Sequence, residues 1–166
     1  MLLLALALLT TCAEKIDFGP DAGITYRDAH NYPHGDDPTD WTSDGSWNKK
    51  EKALFSFATK IELNGSQLGG LTNMSFFPNP VAAGGAGQFH FDSKMTAIKA
   101  KLVFVDQQYK VIQNQEIAID APRLSFMQAF PPDKFSSGHV YRMYYAFYGA
   151  DGTLYQKGHG DIKIDK

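Results

Sequence analysis

The most regular alternation of apolar and polar positions lies between His139 and Ile164, where two segments meet at Asp151-Gly152. An Asp-Gly pair between alternating segments is a strong short-range hairpin signal. A two-residue loop there sets Ala150 opposite Thr153. Counting back pairs Tyr148 with Tyr155, Ala146 with Lys157, Tyr144 with His159 and Arg142 with Asp161. The other face pairs Phe147 with Gln156, Tyr145 with Gly158, Met143 with Gly160 and Tyr141 with Ile162. This second set is the predicted core face, because large side chains lying over strand glycines fill the space that glycine leaves. The first set is predicted to face outward, with Arg142–Asp161 an ordinary cross-strand contact worth about a few tenths of a kcal/mol. A slip of one residue would turn every side chain over.

Upstream, Leu71 to Phe77 reads as a strand that Phe76-Phe77-Pro78-Asn79-Pro80 ends abruptly. Prolines remove ladder donors and restrict the residues before them. Gln88 to Asp92 is a short strand with Phe89 and Phe91 on one face and His90 on the other. Ala97 to Asp106 becomes apolar on both faces towards its end, the pattern of a central strand. Gln107-Gln108 forms a turn, and Lys110 to Ile119 returns. Ala53 to Leu63 alternates imperfectly and predicts a first strand before a turn at Asn64-Gly65, while Ser46 to Phe55 also admits a short helix with Ser46 as N-cap. Leu124 to Phe130 is ambiguous between strand and helix. Short strands and turns spaced in this way predict an all-β sandwich.

Composition narrows the class. The 166 residues suit one domain plus tails, and 43% hydrophobic content with 12 Phe and 8 Tyr supplies a single core. A net charge of −2 with no lysine-arginine stripe gives no electrostatic case for nucleic acid. The one cysteine, Cys12, has no partner for an internal disulfide. Leu2 to Leu9 is an uninterrupted apolar run, too short to span a bilayer but the size of a signal-peptide core. It ends at Leu9-Thr10-Thr11-Cys12, which resembles the lipobox of bacterial lipoproteins. The chain departs from that pattern in having no Lys or Arg before the run, and in carrying Thr11 where a smaller residue is usual.

The resemblance implies a signal peptide over residues 1–11 and a cysteine that becomes the acylated N-terminus, carrying palmitate-type chains. It implies a lipoprotein anchored to a membrane of the bacterial envelope, on its periplasmic or surface face. Each buried methylene of such chains contributes about 0.8 kcal/mol. Residues 12–52 then form an acylated tether of linker composition, although Ile16, Phe18, Ile24, Tyr26 and Tyr32 suggest that parts of it lie down on a surface. Trp41 and Trp47 stand in the same polar stretch, and at least one is expected to pack on the domain.

A second resemblance covers residues 75–119. Phe76-Phe77-Pro78-Asn79-Pro80-Val81, a short Phe-rich strand and Lys101-Leu102-Val103-Phe104-Val105-Asp106 are similar to the opening half of type IX secretion C-terminal sorting domains. Those are immunoglobulin-like sandwiches. The expected fold of residues 53–166 is accordingly one immunoglobulin-like β-sandwich of about seven to eight strands. A lipid-anchored protein has no need of a secretion tag, so the likeness carries architecture and no sorting function.

Candidate chemistry is sparse. His30 and His34 with Asp36 and Asp37 concentrate possible metal ligands, but Pro33 keeps the two histidines off one helical face, so they are weak candidates. Asp40 and Asp44 lack the alternate spacing of a calcium loop. No serine sits in a Gly-x-Ser-x-Gly elbow, and Gly84-Gly85-Ala86-Gly87 precedes no Lys-Ser/Thr pair. Glu62 and Glu116 are the glutamates within the predicted sandwich. No cofactor is implied. The leading expectation is a non-catalytic envelope lipoprotein, an accessory or scaffold subunit with a protein partner. A second is a lipoprotein that binds glycan or peptide on Arg142, Tyr144, Tyr148, Tyr155 and His159. A third is an enzyme with a site assembled across loops. What covers the tyrosines separates the first two.

Overall fold

A computed structural model describes residues 14–19, 23–56, 61–120 and 125–166. The apolar leader and Cys12 lie outside the described residues, as does part of the stretch from Ala53 to Leu63. The strands are β1 (Tyr26–Arg27), β2 (Pro33–Gly35), β3 (Thr42–Ser43), β4 (Leu71–Phe77), β5 (Ala86–Ser93), β6 (Ile98–Val105), β7 (Val111–Ile119), β8 (Ser125–Ala129), β9 (Val140–Gly149) and β10 (Leu154–Lys163), with one helix, α1 (Lys49–Ala53). Five strands form one sheet in the order β3-β10-β9-β6-β7, and three form the facing sheet, β4-β5-β8. A small β1-β2 ribbon stands apart from both. The fold is an all-β sandwich. Setting β4, β5, β6, β8, β9 and β10 as strands A, B, C, E, F and G gives A-B-E against C-F-G, the arrangement of an immunoglobulin-type sandwich, with β7 added beside C.

The predicted strands from Leu71 to Ile119 form within a residue or two of their expected bounds. Within the ambiguous stretch that follows, Ser125–Ala129 is strand β8, Leu124 lying outside the described residues. β6 is central as its two-faced apolar pattern requires, buried from Ala100 to Val105. Phe76, Phe89, Phe91, Leu102, Phe104, Phe130, Tyr145 and Phe147 fill the space between the sheets, all fully buried. Their rings meet edge-on or tilted, as Phe91 and Phe147 do at 5.0 Å, the geometry that the ring quadrupole favours.

The β9–β10 pairing follows the alternation from Gln156 to Ile162, with Tyr144 opposite His159 and Arg142 opposite Asp161. Nearer the turn it differs. Gly152 N–H donates to Gly149 C=O (3.0 Å) and Gly149 N–H to Thr153 C=O (2.9 Å), so the loop is longer than two residues. The register shifts between Leu154 and Gln156, and Tyr148 faces Leu154 instead of Tyr155. The bulge exchanges the faces of two residues: Tyr155 packs against the inter-sheet core, and Leu154 takes its place beside Tyr148 on the outer face.

Two further expectations are corrected upstream. Residues 54–56 and 61–63 are not a strand, because Leu54, Phe55 and Leu63 turn inward in a cluster with Trp47. The helix begins later than Ser46. Asn48 caps it, accepting from Lys50 and Glu51 N–H, and the Glu51 carboxylate returns to Asn48 N–H at 2.7 Å.

The largest departure concerns residues 14–19 and 23–52. Their apolar side chains are a layer of the domain, more fully than the expected surface contact. Ile16, Trp47, Leu54, Phe55 and Leu63 form a second apolar cluster on Val103, Val105, Tyr144, Ala146 and Tyr148, the outer face of the large sheet. Burying a large apolar side chain is worth about 1.5–3 kcal/mol, so this face gains too much from being covered to stay open to water. Trp41 goes further, entering the main core against Phe76 and Phe89 with ring centroids at 5.8 and 5.6 Å. It reaches there because β3 pairs with β10, setting Gly158 beside Ser43 and His159 beside Thr42. A Cβ on Gly160 would strike the Trp41 ring atoms, and one on Gly158 would strike Thr42 C=O and the Tyr145 hydroxyl. The strand glycines therefore make room for the N-terminal segment. Tyr145 covers Gly158 as the alternation predicts, whereas Trp41, not Met143, covers Gly160.

Candidate functional site

The outer face of β9–β10 carries Arg142, Tyr144, Tyr148 and His159 of the five residues expected to form a binding platform, Tyr155 having turned to the inter-sheet core, and the structure covers that face. Tyr144 is fully buried. Its hydroxyl donates to Glu51 Oε1 at 3.1 Å, and its ring meets Trp47 edge-on at 5.6 Å and Tyr109 at 6.5 Å. Glu51 thus closes the helix cap with one oxygen and receives Tyr144 with the other. Burial pushes the Tyr144 phenol well above the ordinary tyrosine range. Tyr148 donates to Glu116 Oε2 at 2.6 Å, and that hydroxyl, with Lys99, holds the Glu116 carboxyl below its usual value. His159 Nδ1 lies 2.9 Å from Asp44 Oδ2. Beside it the fully buried Lys157 ammonium donates to the carbonyls of Asp44 and Gly45, 4.9 Å over the Trp47 ring. Burial lowers its pKa.

Arg142 makes a two-pronged pair with Asp161, Nε to Oδ1 at 2.7 Å and Nη2 to Oδ2 at 2.6 Å. Nη2 also donates to Asp17 C=O at 3.1 Å, and the guanidinium stands 5.5 Å over the Phe18 ring. The expected surface contact is instead a buried ion pair. Burial opposes the guanidinium's charge, but the Asp161 carboxylate outweighs it and leaves Arg142 more firmly protonated than usual.

Beneath this pair lies a polar junction. Asp40 accepts from Thr25 N–H and Asp161 N–H, both at 2.9 Å. Asn79, between two cis prolines, donates to Thr25 C=O (3.1 Å) and Asp161 C=O (2.9 Å) and accepts from Lys163 N–H (3.0 Å). Strand β10, the Pro-Asn-Pro turn and residues 25–40 are locked together here. Sequence reasoning missed Asp40, Asp44, Glu51 and Asn79. The signals available were the pair of tryptophans in a polar stretch, both of which pack inward, and for Glu51 its spacing three residues after Asn48.

Burial, followed by the Asp161 charge, pushes the Asp40 carboxyl up to about 7, against the pull of its two N–H donors. A carboxyl raised on folding stabilises the fold below its unfolded pKa of about 4 and loses that contribution as pH climbs through its folded value. Urea unfolding is therefore expected to show stability falling from about pH 5 to pH 8, and Asp40→Asn to flatten that slope. Each pKa unit corresponds to about 1.4 kcal/mol, so the swing is on the order of a few kcal/mol. A wild-type profile that is flat, or a slope retained by Asp40→Asn, would remove Asp40 as its cause.

His30 and His34 lie in the β1–β2 region. His34 Nε2 is 3.3 Å from Asp28 Oδ2 on the exposed surface, and Asp28 also accepts from His30 N–H at 2.8 Å. Among the described residues, no three His, Cys, Asp or Glu are gathered as a metal would need. At one end of the sandwich, the β6–β7 turn and the segment before β9 enclose an open cleft of about 600 Å³, lined in part by Phe18, Gln108, Lys110, Lys134, His139 and Tyr141. Among the described residues no helix is long and apolar enough to cross a membrane. No protein-family profile matches the chain, and no curated protein matches it.

Proposed function

We propose that this chain is a non-catalytic, lipid-anchored sandwich module of a bacterial cell envelope, serving as an accessory or scaffold subunit of a membrane-associated complex. The observation that supports this reading over glycan or peptide binding is the cover on the tyrosine face. Arg142, Tyr144, Tyr148 and His159 each direct their polar atoms to protein partners: Asp161, Glu51, Glu116 and Asp44. A ligand would have to displace the layer formed by Ile16, Phe18, Trp47 and α1 to reach them. Anchoring is supported by the apolar run and Leu9-Thr10-Thr11-Cys12.

Expression of the full chain in a lipoprotein-processing bacterium, followed by mass spectrometry and fractionation, tests the anchor. The expected product begins at Cys12, carries acyl chains and partitions with membranes, while Cys12→Ser moves to the soluble fraction. An unmodified thiol on a soluble wild-type protein would end this reading. Isolation of the acylated protein from membranes under mild detergent should bring a stoichiometric protein partner with it.

A further inference from the structure

We propose that the end of the sandwich formed by the β6–β7 turn and α1 rests against the phosphate headgroups of the membrane that holds the lipid, so that the body stands in one orientation. The proposal rests on the acylation of Cys12 argued above. It adds that the anchor has almost no slack. Cys12 is two residues before Glu14. Two residues of extended chain reach about 7 Å.

From Glu14 onward the chain is tied down. Lys50 Nζ donates to Glu14 C=O at 2.8 Å and lies 3.8 Å from its carboxylate. Ile16 N–H donates to Gln107 C=O at 2.9 Å, and the Ile16 side chain is 2% exposed. Asp17 C=O receives Arg142. Three ties in four residues leave no lead for the body to swing on. The groups closest to the point where the lipid emerges are those around Lys50, Gln107 and Tyr109, whose ring lies 5.2 Å under the Lys50 ammonium.

The chemistry of that end suits headgroup phosphates. Lys49, Lys52, Lys110 and Lys134 are exposed there. Among the nearby acids, Asp106 is turned into its own loop, accepting from Gln108 and Lys110 N–H at 2.9 and 3.0 Å. Glu51 is taken up by the helix cap and Tyr144. Glu14, Asp17 and Asp133 are the exposed carboxylates that oppose the lysines, and Glu14 is shared with Lys50 while Lys15, also exposed, adds a further positive charge beside the anchor. Basic groups close to an anionic leaflet are attracted within a Debye length, and the short anchor holds these within that range.

The two ends of the sheet are separated by the eight residues of β6, about 26 Å of strand. A fluorophore on Gln108→Cys reports the near end, and one on Lys94→Cys the far end; the acylated Cys12 thiol does not react with the label. Each acylated protein is reconstituted into phosphatidylglycerol-containing vesicles with a nitroxide on the lipid headgroup. Quenching is expected to be several-fold stronger at position 108 than at 94. A flexible insert of about ten Gly-Ser residues between Ala13 and Glu14 should bring the two values together without changing flotation. If wild-type protein fails to float with vesicles, the acylation reading falls and this proposal with it. If it floats but quenches equally at both positions, or more at 94, the orientation alone is wrong.

Discussion

Trp41→Ala is expected to destabilise the protein by about 3–5 kcal/mol, the range for removing a large aromatic from a packed core. The residue belongs to a stretch with linker composition, yet its ring is 6% exposed and lies between Phe76 and Phe89. The backbone N–H of Trp41 donates to His159 C=O at 2.8 Å beside β3, a bond that alanine retains, so the expected loss is that of the ring. The matching half of the fit is Gly160, whose missing side chain is the space the indole occupies. Gly160→Ala alone is expected to cost about 1–3 kcal/mol through overpacking. In the Trp41→Ala background the same substitution should cost well under about 1 kcal/mol, because the clash partner is gone. Equilibrium denaturation of the four proteins measures the coupling. Additive effects would show that the indole and the glycine are not one packing unit.

Arg142→Met is expected to be as severe, about 3–5 kcal/mol near neutral pH, because it strands a buried charge. Asp161 would keep its place at 2% exposure beside Asp40, with two carboxylates sharing a site and no cation. Like charges at this range push each other's pKa upward. The variant's deficit should therefore grow as pH rises and shrink under acid conditions, where both carboxyls bind protons. Replacing both partners, Arg142→Met with Asp161→Leu, should recover part of the loss, since a buried pair removed whole costs less than one broken. Urea melts at pH 5 and pH 8 decide the matter. A loss of about a few tenths of a kcal/mol, independent of pH, would return the pair to the ordinary surface contact that cross-strand position alone predicts.

The difference between those two magnitudes marks where local pattern stops being informative. Alternation in β9 and β10 places Arg142 opposite Asp161 whatever else the chain does, because side chains on a strand repeat every two residues. It says nothing of what lies above them. Asp17, Phe18, Asp40 and Thr25 are more than a hundred residues away along the chain from Arg142 and Asp161. Thr25 and Asp40 arrive through β3 pairing and the Asn79 junction, Asp17 and Phe18 through the docking of Ile16 against Gln107 and the outer sheet face. The same holds for Tyr144 and Glu51. A glutamate three residues after Asn48 is a readable helix cap, but that its second oxygen receives a tyrosine hydroxyl from β9 is a fact of docking. At the hairpin, Asp151-Gly152 announced a turn correctly. The bulge that sends Tyr155 to the other face depends on how the turn closes, and single-residue parity is what a bulge alters.

By itself, then, the sequence determined the strands that run between Leu71 and Lys163 except β8, most of their faces, the register of the last hairpin beyond its bulge and the β-sandwich class. Period-two alternation and proline or glycine punctuation are written in neighbouring residues. Only the tertiary structure decided that residues 14–19 and 23–56 belong to the body, that Trp41 completes the core and that the tyrosine face is closed. Those outcomes turn on apolar area finding a complementary surface far along the chain, and no local period encodes where that surface will be.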